Sequence, residues 1–281
     1  MKPEFRSDLA VERRRADTSL PGTELTEEHR GAFTVTRLAV KTEGSAEAVG
    51  GAPGHYVTVS FPDLTASDGA VRRALTDLLA EEMRTLSVGL LGRAPRDGVR
   101  VVAVGLGNRA LTSDAVGPMT VERIGATGQL ETLDPECLGA LGCASVFCNI
   151  PGVLADSGME AADAVRLLTK SLRPSLVIAV DALAARASER LCPTVQLADN
   201  GIAPGSGIGN RRRGLDLDSL GVPVLAIGVP TVMDASRLGG EGGAPLFITL
   251  KDVDVRLRIL APLLAEAVSI LLGLPYDPAL P

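Results

Sequence analysis

Leu176-Val177-Ile178-Ala179-Val180-Asp181 is the stretch on which the fold reading turns. Five apolar residues run without alternation and end in a carboxylate. A strand buried on both faces reads this way, which points to the centre of a parallel sheet. Val99 to Val104 repeats the pattern in β-branched residues. Thr194 to Leu197, Val222 to Ile227 and Phe247 to Leu250 read as further strands, with Pro223 favouring a marginal place for its own. Phe33 to Val40 and Tyr56 to Phe61 alternate, and are expected to pair as an antiparallel edge. Helical spacing recurs over Ala70 to Leu86, capped by Ser67 or Asp68, and over Met159 to Leu172 and Leu257 to Leu272. Pro118 permits a helix to about Ile124. Strand, loop and helix recur, so the expected class is α/β: a mostly parallel twisted sheet flanked by helices.

Composition narrows the function. The 281 residues are 46% hydrophobic, enough for a substantial aliphatic core, but only 2% aromatic, with no Trp. That weakens base stacking and sugar platforms. A formal net charge of −6 opposes a general grip on nucleic acid, so no direct nucleic-acid partner is expected. No run approaches a membrane span, and the charged start lacks a signal-peptide core, so the expectation is no membrane and an intracellular protein. The first 30 residues are strongly charged and read as an arm or a loosely held edge. Cys137, Cys143, Cys148 and Cys192 form no CxxC pair and have no histidine near in sequence, so buried free thiols are expected and no metal or cofactor.

The chemistry is expected at the C-terminal ends of the strands. Asp181 closes LVIAVD, where a carboxylate is affordable only if the strand end opens on a polar site. Asp114 follows the other central strand beyond GLGNRALTSD. Two carboxylates meeting there can activate water and protonate a leaving amine, or hold a metal between them. Both also have plain structural readings: Ser113 or Asp114 as a helix cap, and Asp181 as the cap of a helix over Ala182 to Arg190. Gly105-Leu106-Gly107-Asn108 lacks the third glycine of a dinucleotide loop, its place taken by Ala110. Asn200 to Asn210 packs four glycines into a turned loop whose amides can hold an oxyanion or a substrate backbone, with Gly205, Ser206, Gly207, Asn210, Arg211 and Arg212 as the candidate substrate-binding residues. Arg213 belongs to the same basic cluster, which can bind an acidic side chain or pair internally. No GxSxG or HExxH motif is present, and His29 and His55 are the only histidines.

Several segments, in order, resemble the spore germination endopeptidase family: RSDLAVE from Arg6, GLGNRALTSDAVGP from Gly105, Pro151-Gly152-Val153, PSLVIAVDALAAR from Pro174, TVQLADNGIAPGSGIGNRRR from Thr194 and LGVPVLAIGVPTVMDA from Leu220. The resemblance implies an atypical aspartic endopeptidase acting on small acid-soluble spore proteins, with a fold similar to that of the hydrogenase-maturation proteases. It places the two catalytic aspartates on Asp114 and Asp181. It further implies a homotetramer, a cytoplasmic place in the forespore or spore core, and an inactive precursor that loses a short propeptide. Where family members usually read TPDALGP and DTGI, this chain has TSDAVGP and Asp199-Asn200-Gly201-Ile202. Only Met1 to Phe5 precede RSDLAVE, so the propeptide is expected either upstream or to be dispensed with. The domain expectation is one peptidase domain over 1–281, with its catalytic core at 99–235. Two alternatives remain: a metal-dependent protease or amidohydrolase on the same fold, and a non-catalytic binding protein.

Overall fold

The β-branched run after Arg100 forms the strand Arg100–Gly105, buried from Val101 onward. Its side chains divide by parity: Val101 and Ala103 enter one core cluster, Val102 and Val104 another. The structure is a computed structural model that describes residues 7–15, 20–49, 51–203, 213–235 and 246–276. Among these, nine strands form one sheet: β1 Thr23–Arg30, β2 Phe33–Val40, β3 Gly54–Ser60, β4 Arg100–Gly105, β5 Ser145–Asn149, β6 Leu176–Ala185, β7 Thr194–Ala198, β8 Val224–Asp234 and β9 Phe247–Thr249. The order is β1-β2-β3-β7-β8-β6-β4-β5, with β9 on β8.

The sheet has two halves. β5, β4, β6 and β8 pair in parallel, while β1, β2, β3, β7 and β8, together with β9, pair antiparallel. The protein is thus α/β with a large mixed sheet, and its parallel character is confined to β5, β4, β6 and β8. β2 and β3 do pair antiparallel, but the charged β1 lies outside them and forms the edge. β8 is interior despite Pro223. Pro223 falls just before the strand, so its missing N–H costs no ladder bond, and its carbonyl still accepts from Val177 at 3.0 Å.

Helices cover both faces. Gly69–Leu91 and Val253–Leu272 pack on the cluster that takes Val101, Ile178 and Leu225. Asp68 caps the first by accepting from Val71 N at 2.9 Å. Ala161–Leu172 lies on the other face with Val102, Val177 and Ala179. Arg37 of β2 forks onto the buried Glu82 of the first helix, a bidentate pair that ties the antiparallel half to it. No helix of the described residues is long and apolar enough to cross a membrane.

Residues 7–15 are not an exposed arm. Leu9, Ala10 and Val11 are buried, and the charges around them are spent on backbone amides. Asp8 N donates to the Ala184 carbonyl and Ala184 N donates to Asp8 Oδ2, both at 2.8 Å. The buried Glu12 accepts from Arg186 N at 2.6 Å and Ala187 N at 3.2 Å, and pairs with Arg190. The segment is therefore stitched to the far end of β6. Glu12→Gln is expected to cost about 2 kcal/mol, since charge-assisted bonds to buried amides weaken together. Urea denaturation of the variant measures it.

All four cysteines are free: Cys143 and Cys192 are buried, Cys148 is half-buried and Cys137 is exposed. Cys137 departs from the buried-thiol expectation outright and Cys148 in part. Desolvation pushes Cys148 up to about 11 and Cys192 up to about 12. Thiolates are the reacting form, so iodoacetamide at pH 8 is expected to label one thiol quickly and three slowly in the native protein. Peptide mapping should place the fast label on Cys137.

Candidate active site

Asp181 sits inside β6 rather than after it, because the strand runs on to Ala185. That removes the reading of a helix cap over Ala182 to Arg190. Parity puts its side chain in the row of Val177 and Ala179, on the face of the helix Ala161–Leu172. Opposite it on β8 is Gly228. Asp181 is 4% exposed. Its Oδ1 accepts from Ala182 N at 2.9 Å.

Asp114 comes from the loop beyond β4. That loop leaves the strand still bonded to β6, with Leu106 N donating to the Val180 carbonyl at 2.8 Å. Gly107 then takes φ +110°, a conformation open to glycine, and a Cβ there would stand 2.1 Å from the Asp114 carbonyl oxygen. The short 3-10 turn Thr112–Asp114 follows, closed by Asp114 N on the Leu111 carbonyl at 2.8 Å. Asp114 Oδ2 accepts from Asn108 N at 2.7 Å. The helix Val116–Val121 begins after Ala115 with no side-chain cap, so neither Ser113 nor Asp114 caps it.

The two carboxylates line one cavity of about 360 Å³. Apart from its three aspartates, the wall is largely apolar, with Leu106, Leu111, Val153, Leu183, Val232 and Phe247. Thr231 of β8 and residues of β9 close one side, and Gly152 with Val153 another. The third aspartate is Asp8, which sequence reasoning left outside the site. The signal was present: a charged segment interrupted by Leu9-Ala10-Val11 has an apolar stretch to bury, and its acids travel with it. Asp8 and Leu183 also belong to a second cavity of about 260 Å³, lined by Arg13, Tyr56, Gln196, Asn200 and Asp216. The two cavities therefore meet across Asp8 and Leu183. Arg13 there donates to the Ser7 and Val49 carbonyls, and burial pulls its guanidinium below the usual value.

The candidate substrate-binding residues Gly205, Ser206, Gly207, Asn210, Arg211 and Arg212 lie outside the described residues. Arg213 is described, and it pairs with Asp163 at 3.0 Å. Among the described residues no three His, Cys, Asp or Glu side chains are grouped to hold a metal ion, so Asp8, Asp114 and Asp181 share a cavity without forming such a set.

Comparison with known proteins places the chain. A family model described as germination protease matches residues 4–242. The germination protease of Clostridium tetani is 36% identical over 241 residues, covering 84% of this chain and 72% of that protein. That of Caldanaerobacter subterraneus subsp. tengcongensis is 39% identical over 239 residues, with the same two shares. That of Bacillus subtilis is 38% identical over 245 residues, covering 84% of this chain and 65% of the relative. The match takes in the N-terminal stitch, the loop that carries Asp114 and the whole of β6 and β8, so the chain belongs to the germination protease family.

Proposed function

We propose that this protein is an endopeptidase that hydrolyses small acid-soluble spore proteins during germination, with Asp114 and Asp181 as its catalytic pair. The observation that carries the reading is that two aspartates from separate strand–loop segments line one mainly apolar cavity. In such a setting one carboxylate holds a proton more readily than it does in water, and the other can stay ionised. The ionised one takes a proton from water as it attacks the scissile carbonyl. The protonated one donates to the leaving amine. The substrates suit the site because an extended, poorly folded chain can lay its backbone along two cavities that meet at Asp8 and Leu183. The family resemblance supports a homotetramer working in the spore core.

Incubation with a small acid-soluble spore protein, read by mass spectrometry of the products, tests this. Discrete internal cleavage that persists in excess chelator is the expected result. Loss in chelator with recovery on adding a divalent ion would turn the same carboxylates into metal ligands. No turnover at high enzyme concentration would leave a binding protein.

A further inference from the structure

The irregularity between β6 and β8 falls beside the site. Leu183 faces Pro230, but Ala184 faces Val232, so Thr231 is an extra residue on β8. Pro230 has no N–H to give the ladder, which accounts for the break at this point. A bulge of this kind turns its extra residue out of the strand's alternation.

Thr231 is fully buried, and a buried hydroxyl needs an acceptor. It finds one outside the sheet. Thr231 Oγ1 donates to the Ser113 carbonyl at 2.5 Å. The Thr231 carbonyl in turn accepts from Thr249 Oγ1 of β9 at 2.7 Å. Ser113 is the residue before Asp114 in the three-residue turn. That turn is short, and a short turn closed on itself does not by its own bonds fix its distance from a neighbouring strand. The bond from Thr231 supplies this, tying the peptide that carries Asp114 to the strand directly beside Asp181.

We propose that Thr231 is a positioning residue for Asp114: its hydroxyl, re-aimed by the Pro230–Thr231 bulge, holds the Ser113 carbonyl and thereby sets where the Asp114 carboxylate stands relative to Asp181. The inference rests on the proposed catalytic role of Asp114. Misplacement of a reacting group by about 1 Å costs on the order of 100-fold in rate, so the hydroxyl should matter to kcat well beyond its share of stability.

Steady-state cleavage of a small acid-soluble spore protein by Thr231→Val, Thr231→Ser and Asp114→Asn tests it. Thr231→Val keeps the shape and removes the donor. It is expected to lower kcat on the order of 10- to 100-fold, leave KM within about twofold and displace one limb of the pH–rate profile. Thr231→Ser restores the donor and is expected to recover most of kcat and the original profile. Should Thr231→Val not fold, Thr231→Ala removes the same hydroxyl without adding a methyl and carries the same expectation. Near-normal kcat without the hydroxyl would overturn the proposal, as would a serine variant no better than the valine one, or a loss expressed only in KM. Asp114→Asn separates the two levels. If it stays active, the reading of the pair itself falls. If it is inactive while Thr231→Val is unimpaired, only the positioning role falls.

Discussion

Asp181→Asn is expected to lower kcat for peptide cleavage by on the order of 1,000-fold or more, and Asp114→Asn to do the same, because under the proposed mechanism each removes one of two proton-transfer groups. Neither should unfold the protein. Asparagine keeps an acceptor oxygen, so Ala182 N can still donate to residue 181 and Asn108 N to residue 114. Asp181 is also buried, and a neutral amide there avoids the desolvation cost of a charge. The checks are kcat on a spore protein substrate and a thermal melt for each variant. Inactivity with Tm within a few degrees of the parent is the expected pattern. Near-normal kcat in both would remove the pair from the mechanism.

The second large effect comes from the seat of the helix Val116–Val121. A Cβ on Gly117 would lie 2.2 Å from the Leu106 carbonyl oxygen and 2.4 Å from that of Val180. Both are backbone atoms, one just past the end of β4 and the other within β6, so no side chain can swing aside. Gly105 shows the same contact from the other direction, its Cβ position 2.5 Å from the Gly117 carbonyl oxygen. Gly117→Ala must therefore lift the helix off β4 and β6, three residues after Asp114. The expected cost is about 3 kcal/mol, at the upper end for overpacking, with a fall in Tm of roughly 6–12 °C for a chain of this size. Activity should fall with it. Gly89→Ala is the control. Gly89 lies within the helix Gly69–Leu91 with nothing within 4 Å of its Cβ position, so alanine there should stabilise by about 0.5–1 kcal/mol. Equal melting behaviour of the two variants would refute the close-approach argument.

The parallel strands β4, β6 and β8 were legible because they are buried on both faces and so are written as uninterrupted apolar runs. The rest was written less plainly. β1, TELTEEHR, is a two-faced exposed edge, and an edge strand that buries nothing leaves no hydrophobic pattern. β5, SVFCN, is short and half-polar, and takes its place through register with β4. Pro223 misled because a proline just before a strand and one within it look alike in sequence. The consequential proline is Pro230, which falls at the bulge. Strand-end reasoning did pick out Asp114 and Asp181, which line one cavity, although Asp181 lies within β6 and not at its end. Asp8 and Thr231 were not, because each reaches the cavity through a tertiary bond: one from a segment almost 180 residues away in sequence from its Ala184 partner, the other through a bulge.

The central claim is that Asp114 and Asp181 act as one unit. A double-mutant cycle on kcat tests it most directly, with Asp114→Asn, Asp181→Asn and the double variant assayed on one small acid-soluble spore protein. If the pair shares a single proton-transfer task, losing either member forfeits nearly the whole contribution, and the double variant should be no slower than the singles within a few-fold. Two independent losses that multiply in the double variant would contradict the account.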